Sequence, residues 1–229
     1  MAVDGTVVID DFVPGSLANI SSFAGQTLNN VTVTDDDSGD VLIGPVASLV
    51  VPDSGSHSIV AHLDASGTPT LTTFANDTSD TAQGEARFTL RHTAGAPAID
   101  MILGDQRPIT NLTNPNEAEL ELPDGELTDA QIAPTGDIAI AQIATLDLAA
   151  NTNTIVYVVG STADDTIDFV VQIVDFAVAP PPSTTTTSVT PTAVNTGAPI
   201  GGTSGMMLAV VALGGLTLAG GAMVARRRV

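Results

Sequence analysis

The sequence predicts an all-β body of two antiparallel β-sandwiches in tandem, followed by one C-terminal transmembrane α-helix. Three observations carry that expectation. Short apolar runs are punctuated by turn residues, a domain-sized internal repeat is visible, and residues 206–225 form an uncharged apolar stretch.

The strand signals come first. "SIVAHL" (58–63) and "TIVYVV" (154–159) are β-branched runs bounded by Asn, Ser, Asp and Gly. "ARFTLRH" (86–92), "AIDMIL" (98–103), "AELEL" (118–122) and "TIDFVVQIV" (166–174) alternate or cluster apolar residues over short lengths. Turn chemistry separates the runs in "DDDSGD", "PDSGS", "LDASGTP", "LPDGE", "PTGD" and "GSTADD". No stretch before residue 206 holds helical spacing, and strands recurring every ~8–12 residues point to antiparallel sandwiches.

The repeat sets the domain organisation. "ASLVVPDSGSHSIVAHLDASGTPTLTTF" (47–74) aligns with "ATLDLAANTNTIVYVVGSTADDTIDFVV" (144–171). Upstream, "VDGTVVIDDFVPGSLANI" from Val3 lies over "LGDQRPITNLTNPNEAEL" from Leu103. The offset of roughly 96–100 residues is the size of a domain. A first sandwich over 1–84 and a second over 85–178 follow. The second opens on "ARFTLRHTAGAPAIDM" (86–101), for which the first has no counterpart. The first sandwich is therefore expected to lack its opening strand, the missing part lying upstream of Met1.

Composition excludes several chemistries. Of 229 residues, 43% are hydrophobic and only 3% aromatic, so the core is aliphatic. Cysteine is absent, which removes disulfides, thiol catalysis and thiolate metal sites together. There are 26 acids against six Arg, for a net charge of −20. Nucleic acid is thereby excluded as a partner, since its affinity rests on Lys and Arg at the phosphates. The acid excess reads as a solvated, self-repelling surface, with adaptation to high salt or divalent cations as the alternatives.

The C-terminal region reads as an anchor. Residues 179–205, rich in Pro, Thr, Ser and Gly, cannot pack a core and form an extended stalk. The uncharged run 206–225 would span about 30 Å as a helix, the thickness of a bilayer's hydrocarbon core. Residues 226–229 follow as a basic tail, and Arg226, Arg227 and Arg228 place that end in the cytoplasm. The bulk of the chain is then extracellular, at the plasma membrane or cell wall. The start "MAVDGTVVIDDFVPG" has no basic or apolar export region. Either the real start lies upstream or the tail inserts with its arginines outside. Stalk, apolar run and basic end also resemble a cell-wall sorting signal, although "AVNTG" (193–197) lacks the Leu-Pro of its motif.

One further likeness rests on motifs in order. "RFTLRHTAGAPAIDMILGD", "ITNL", "LELPDGEL" and "NTIVYVVGS" resemble the bacterial domain-of-unknown-function family forty-three-ninety-seven. The matching positions are His92, the Ala96-Pro97-Ala98-Ile99-Asp100 turn and strand, and Leu122-Pro123-Asp124-Gly125. The first copy matches from Val3 through the "SHSIVAHLDASGTPTLTTFANDTS" run, without the opening motif. The resemblance implies immunoglobulin-like sandwiches in an exported or surface protein, with no assigned activity.

Candidate site residues are few. His57 and His62 are five apart, so on a strand they face opposite sides and cannot pair on one ligand. His92 and Asp100 could meet across the turn at Pro97, either as a catalytic pair or, as we expect, as a structural hydrogen bond closing the corner. Asp35, Asp36, Asp37 and Asp40 crowd one hairpin loop and could offer calcium several oxygens, although the spacing is not that of an EF-hand. A solvated acidic turn is the plainer expectation, and no other cofactor is indicated. The sequence thus points to a membrane-anchored, non-enzymatic surface protein of structural or adhesive type. A calcium-assisted receptor for a cell-wall or extracellular ligand, and a surface hydrolase, are the alternatives.

Overall fold

A computed structural model describes residues 1–10, 14–35 and 38–176, together with the backbone of 206–210. The described chain is built of strands, with one 3-10 turn at Ser21–Phe23. The first half contributes β1 (Ala2–Val3), β2 (Thr6–Val7), β3 (Leu17–Asn19), β4 (Thr27–Thr34), β5 (Val41–Val50), β6 (His57–Leu63) and β7 (Pro69–Ala75). The second half opens with β8 (Glu85–His92), β9 (Ile99–Leu103), β10 (Gln106–Leu112) and β11 (Glu117–Pro123). It continues with β12 (Gly125–Leu127), β13 (Ala130–Pro134), β14 (Ala141–Gln142), β15 (Leu146–Leu148), β16 (Thr152–Val159) and β17 (Asp168–Asp175). A last strand, β18, is Met206–Val210.

Two sheets make each half. In the first, β2-β1-β4-β5 faces β3-β18-β6-β7 across a core that includes Ile20, Leu28, Val31, Val51 and Ile59. In the second, β10-β9-β13-β14 faces β11-β8-β16-β17, with the ribbon β12-β15 at the side. Phe88 and Leu90 meet Met101, Ile132 and Val156 in its core. Pairing is antiparallel except for β8 with β16 and β18 with β6. The β1–β2 hairpin turns on Asp4 and Gly5, both at positive φ as a two-residue hairpin of right-handed twist requires. The β9–β10 hairpin turns on Gly104 in the same place of its own half.

Alternation explains which face each residue serves. Along β8, Ala86, Phe88 and Leu90 enter the core, so Arg87, Thr89 and Arg91 point out of the opposite face. In a lone sandwich that face would meet water. Here every residue from Ala86 to His92 is buried, as are all of β16 and β6 from Ser58 onward. Strands covered on both faces tend to read as continuous apolar runs, as "TIVYVV" and "SIVAHL" do. The second cover is the other half. The outer face of the β6–β7 sheet packs on that of the β16–β17 sheet through Val60, Phe74, Ile155, Tyr157, Val159 and Val170.

The all-β expectation holds. The helix expected over 206–225 is, in its described part Met206–Val210, a strand. The physical reason is backbone pairing on both sides, with β3 and with β6. No described helix is long and apolar enough to cross a membrane. Residues 211–229, with Arg226, Arg227 and Arg228, and the stalk up to residue 205 lie outside the described residues.

Gly160 ends β16 at φ +83, and a Cβ there would collide with the Thr166 carbonyl. Gly160→Ala is therefore expected to destabilise the protein by at least about 2 kcal/mol in urea denaturation. An unchanged midpoint would show that this turn has room to move.

Candidate functional site

The seam between the two halves gathers the polar side chains that carry most chemical potential. At its centre the Arg91 side chain is wholly buried. Its Nε donates to Glu117 Oε2 at 2.7 Å, Nη1 to Tyr157 Oη at 2.8 Å, and Nη2 to the Ala75 carbonyl at 3.0 Å. The guanidinium also lies 4.5 Å from the Phe74 ring centre and 5.3 Å from that of Tyr157. A buried cation is tolerated only where charge and hydrogen bonds meet it together, and here they do. Three of the partners come from three strands of two sheets, so they fix the halves against each other.

The network continues into neutral groups. Tyr157 Oη donates to Gln172 Oε1 at 2.6 Å, and Ser58 Oγ approaches the same oxygen at 2.9 Å. The single Ser58 proton serves either that oxygen or Asn76 Oδ1, 3.1 Å away on the seam's first-half side. Burial raises the Tyr157 pKa, so the phenol stays protonated and donates. Beside this cluster, Arg87 bridges Asp77 and Glu121, each at 3.0 Å, and lies over the Phe176 ring. Asp77 belongs to the connection between the halves, so Arg87 clamps that connection onto β8.

The seam closes at one end on backbone. Gly95 lies against the β6–β7 turn, where a Cβ would come within 3.2 Å of Gly67 Cα, too near for comfort. Asn114 Nδ2 donates to the carbonyls of Leu63 and Ala94, one from each half. Next to it an open groove of about 390 Å³ is lined by His62, Asp64, Thr72, Asn114 and Pro115. It is shallow, and its exposed lining is more apolar than polar.

The histidines divide as their spacing requires. His62 points into the seam and is fully buried, whereas His57, five residues earlier on β6, is half-buried. The Nδ1 of His62 stands 2.7 Å from the Leu63 carbonyl and its Nε2 2.8 Å from Thr72 Oγ1. A carbonyl only accepts, so Nδ1 carries the proton and Nε2 accepts from threonine. His92 has the other tautomer: Nε2 donates to the Pro97 carbonyl at 2.9 Å, and Nδ1 accepts from the Ala94 amide at 3.4 Å. Burial lowers the pKa of both, outweighing the carbonyl contacts that favour the imidazolium.

Asp100 does not pair with His92. Its Oδ2 takes Arg107 Nη1 at 2.8 Å and the Gly136 amide at 3.1 Å, while Oδ1 takes the Asn111 amide at 2.8 Å. Burial pushes its pKa up, but these donors and the Thr135 hydroxyl prevail and hold it down at about 2. His92 closes the corner at Pro97, and Asp100 ties β9 to β10 and to the turn after β13. The two belong to separate structural networks.

In the acidic loop, Asp35 accepts from the Ser38 amide at 2.8 Å, and its own amide donates to the Asp40 carbonyl at 2.9 Å. Asp36 and Asp37 lie outside the described residues. Among the described residues no three His, Asp or Glu side chains are grouped to hold a metal. Sequence reasoning missed Arg87, Arg91, Tyr157, Gln172 and Ser58. The signal was present: two of the three arginines ahead of the tail alternate with Phe88 and Leu90 on one strand, beside runs too apolar to have a wet face.

Comparison with protein-family models finds no match to this chain, and comparison with the curated proteins finds none either.

Arg91→Ala leaves Glu117, Tyr157 and the Ala75 carbonyl without their donor, and we expect a loss of about 3–5 kcal/mol in chemical denaturation. Arg91→Met, which removes the charge and keeps the volume, should be milder than alanine; equal losses would mean that the lost charge and hydrogen bonds, not the packing of the side chain, set the whole cost. A second prediction concerns pH. His62 and His92 have lowered folded-state pKa values, so their contribution is present above about 6.5 and lost as pH falls below it. Asp100, held at about 2, adds a second loss between its unfolded value of 3.8 and about pH 2. Unfolding free energy should thus decline from pH 7.5 to 5.5, and the double variant His62→Gln with His92→Gln should flatten that decline. A slope identical to the parent's would refute it.

Proposed function

We propose that this chain is a non-catalytic surface-display protein: two immunoglobulin-like sandwiches of structural or adhesive type, carried outside the cell on the 179–205 stalk. The 206–225 segment serves as its membrane anchor once Met206–Val210 is released from the sheet, with Arg226, Arg227 and Arg228 on the cytoplasmic side. The observation that carries this reading is the seam. Arg91, Tyr157, Gln172 and Ser58 are sealed between sheets, where they bond to one another and not to an open cleft. Such a network rigidifies a body; it offers no reacting atom a place to sit. The strongest candidate for catalysis, His92 with Asp100, is divided between two structural networks. The net charge of −20 and the motif run similar to family forty-three-ninety-seven support an exported, solvated surface domain.

Protease added to intact cells that express the full chain tests the reading. It should remove the acidic body and leave a short protected fragment containing 206–229. A body that resists protease until the cells are lysed would contradict display. Calcium in millimolar excess should leave the melting temperature unchanged; a rise would favour the calcium-assisted receptor, since a ligand of the native state must stabilise it.

A further inference from the structure

We propose that the gap between β3 and β6 is a strand-acceptor site, and that its occupant is Met206–Val210 of the same chain. The geometry on both sides is regular. β18 runs antiparallel to β3, with Met207 opposite Asn19, Leu208 opposite Ala18 and Ala209 opposite Leu17. It runs parallel to β6 over five rungs, from Met206 opposite His57 to Val210 opposite Ala61.

The same place in the other half is held by β8. That strand is antiparallel to β11 and parallel to β16, and the order β11-β8-β16-β17 corresponds to β3-β18-β6-β7. The repeat aligns His57 with Thr154, whose partner in β8 is Phe88. Met206 thus stands at the Phe88 rung and Leu208 at the Leu90 rung, two positions that require large apolar residues. Ala209 stands at the Arg91 rung. An empty gap would leave facing edges of β3 and β6 with unpaired amides and carbonyls beside a buried core.

No described residue ahead of β3 enters the gap, since β1 and β2 belong to the opposite sheet. The strand that fills it, Met206–Val210, lies far along the chain. Twenty-nine residues separate Phe176 from Met206, a length of chain whose fully extended reach is about 100 Å. The tether gives the strand a local concentration of order millimolar, which favours its own chain over a neighbour's. Docking also limits the tail. With Met206–Val210 in the sheet, residues 211–225 measure about 22 Å as a helix, short of the ~30 Å a bilayer requires. A membrane that takes all of 206–225 must first draw the strand out.

The proposal stands independently of surface display, and its test needs no cell. The chain lacks cysteine, so introduced pairs are unique. In the purified full-length chain, Ala18→Cys with Leu208→Cys joins two directly opposed positions, within the Cα range a disulfide accepts. Mild oxidation should yield an intramolecular disulfide, seen by mass and by a faster band on a non-reducing gel. His57→Cys with Met206→Cys should do the same on the other side of the strand, guarding against failure of one variant to fold. Ala18→Cys with Val210→Cys, two rungs out of register, should yield at least several-fold less. A disulfide between chains, none in either opposed pair, or equal yields in and out of register would overturn the proposal.

Discussion

The buried guanidinium of Arg91 is the constraint on which the arrangement of this protein depends. A cation removed from water must find anionic and carbonyl partners within hydrogen-bond reach, or the fold cannot hold it. Glu117 and Tyr157 come from the second half, whereas the Ala75 carbonyl and the Phe74 ring come from the first. Satisfying one side chain therefore sets the position of one half against the other. Around it, Val60, Ile155 and Val159 exclude water, which strengthens each polar contact they surround. Two sheets that would each have kept a wet face become the middle layers of one body.

Charge makes that seam more demanding. The described body holds three arginines, and each is engaged: Arg87 with Asp77 and Glu121, Arg91 with Glu117, Arg107 with Asp100. No other Lys or Arg precedes the C-terminal three, so most carboxylates face outward without a basic neighbour. Their mutual repulsion favours expansion. Holding the body closed falls to the aliphatic cores and to Arg91 with Glu117, whose buried guanidinium is screened by salt less than a surface pair would be.

The strands were legible because side-chain alternation and turn residues are local signals. "ARFTLRH", "AIDMIL" and "AELEL" each form the expected strand. His57 and His62 fall on opposite faces of β6, as their odd spacing dictates. What stayed hidden was the use of the second face. Arg87 and Arg91 are charged, and alternation alone sends charge to solvent; only the partner sheet, distant in sequence, makes that face an interior. The runs around Val60 and Val156 carried the hint, being too apolar for sheets wetted on one side. The tail shows a similar limit: an apolar segment suits a bilayer and a sheet interior alike, and Met206–Val210 is drawn into the latter by two unpaired edges that hydropathy does not register.

The seam claim is tested most directly by differential scanning calorimetry of the intact chain at neutral pH. If Arg91 and its neighbours join the halves into one unit, the body melts in a single transition whose van't Hoff and calorimetric enthalpies agree. Two resolved transitions, each carrying about half the enthalpy, would show that the halves unfold separately and that the seam does not bind them.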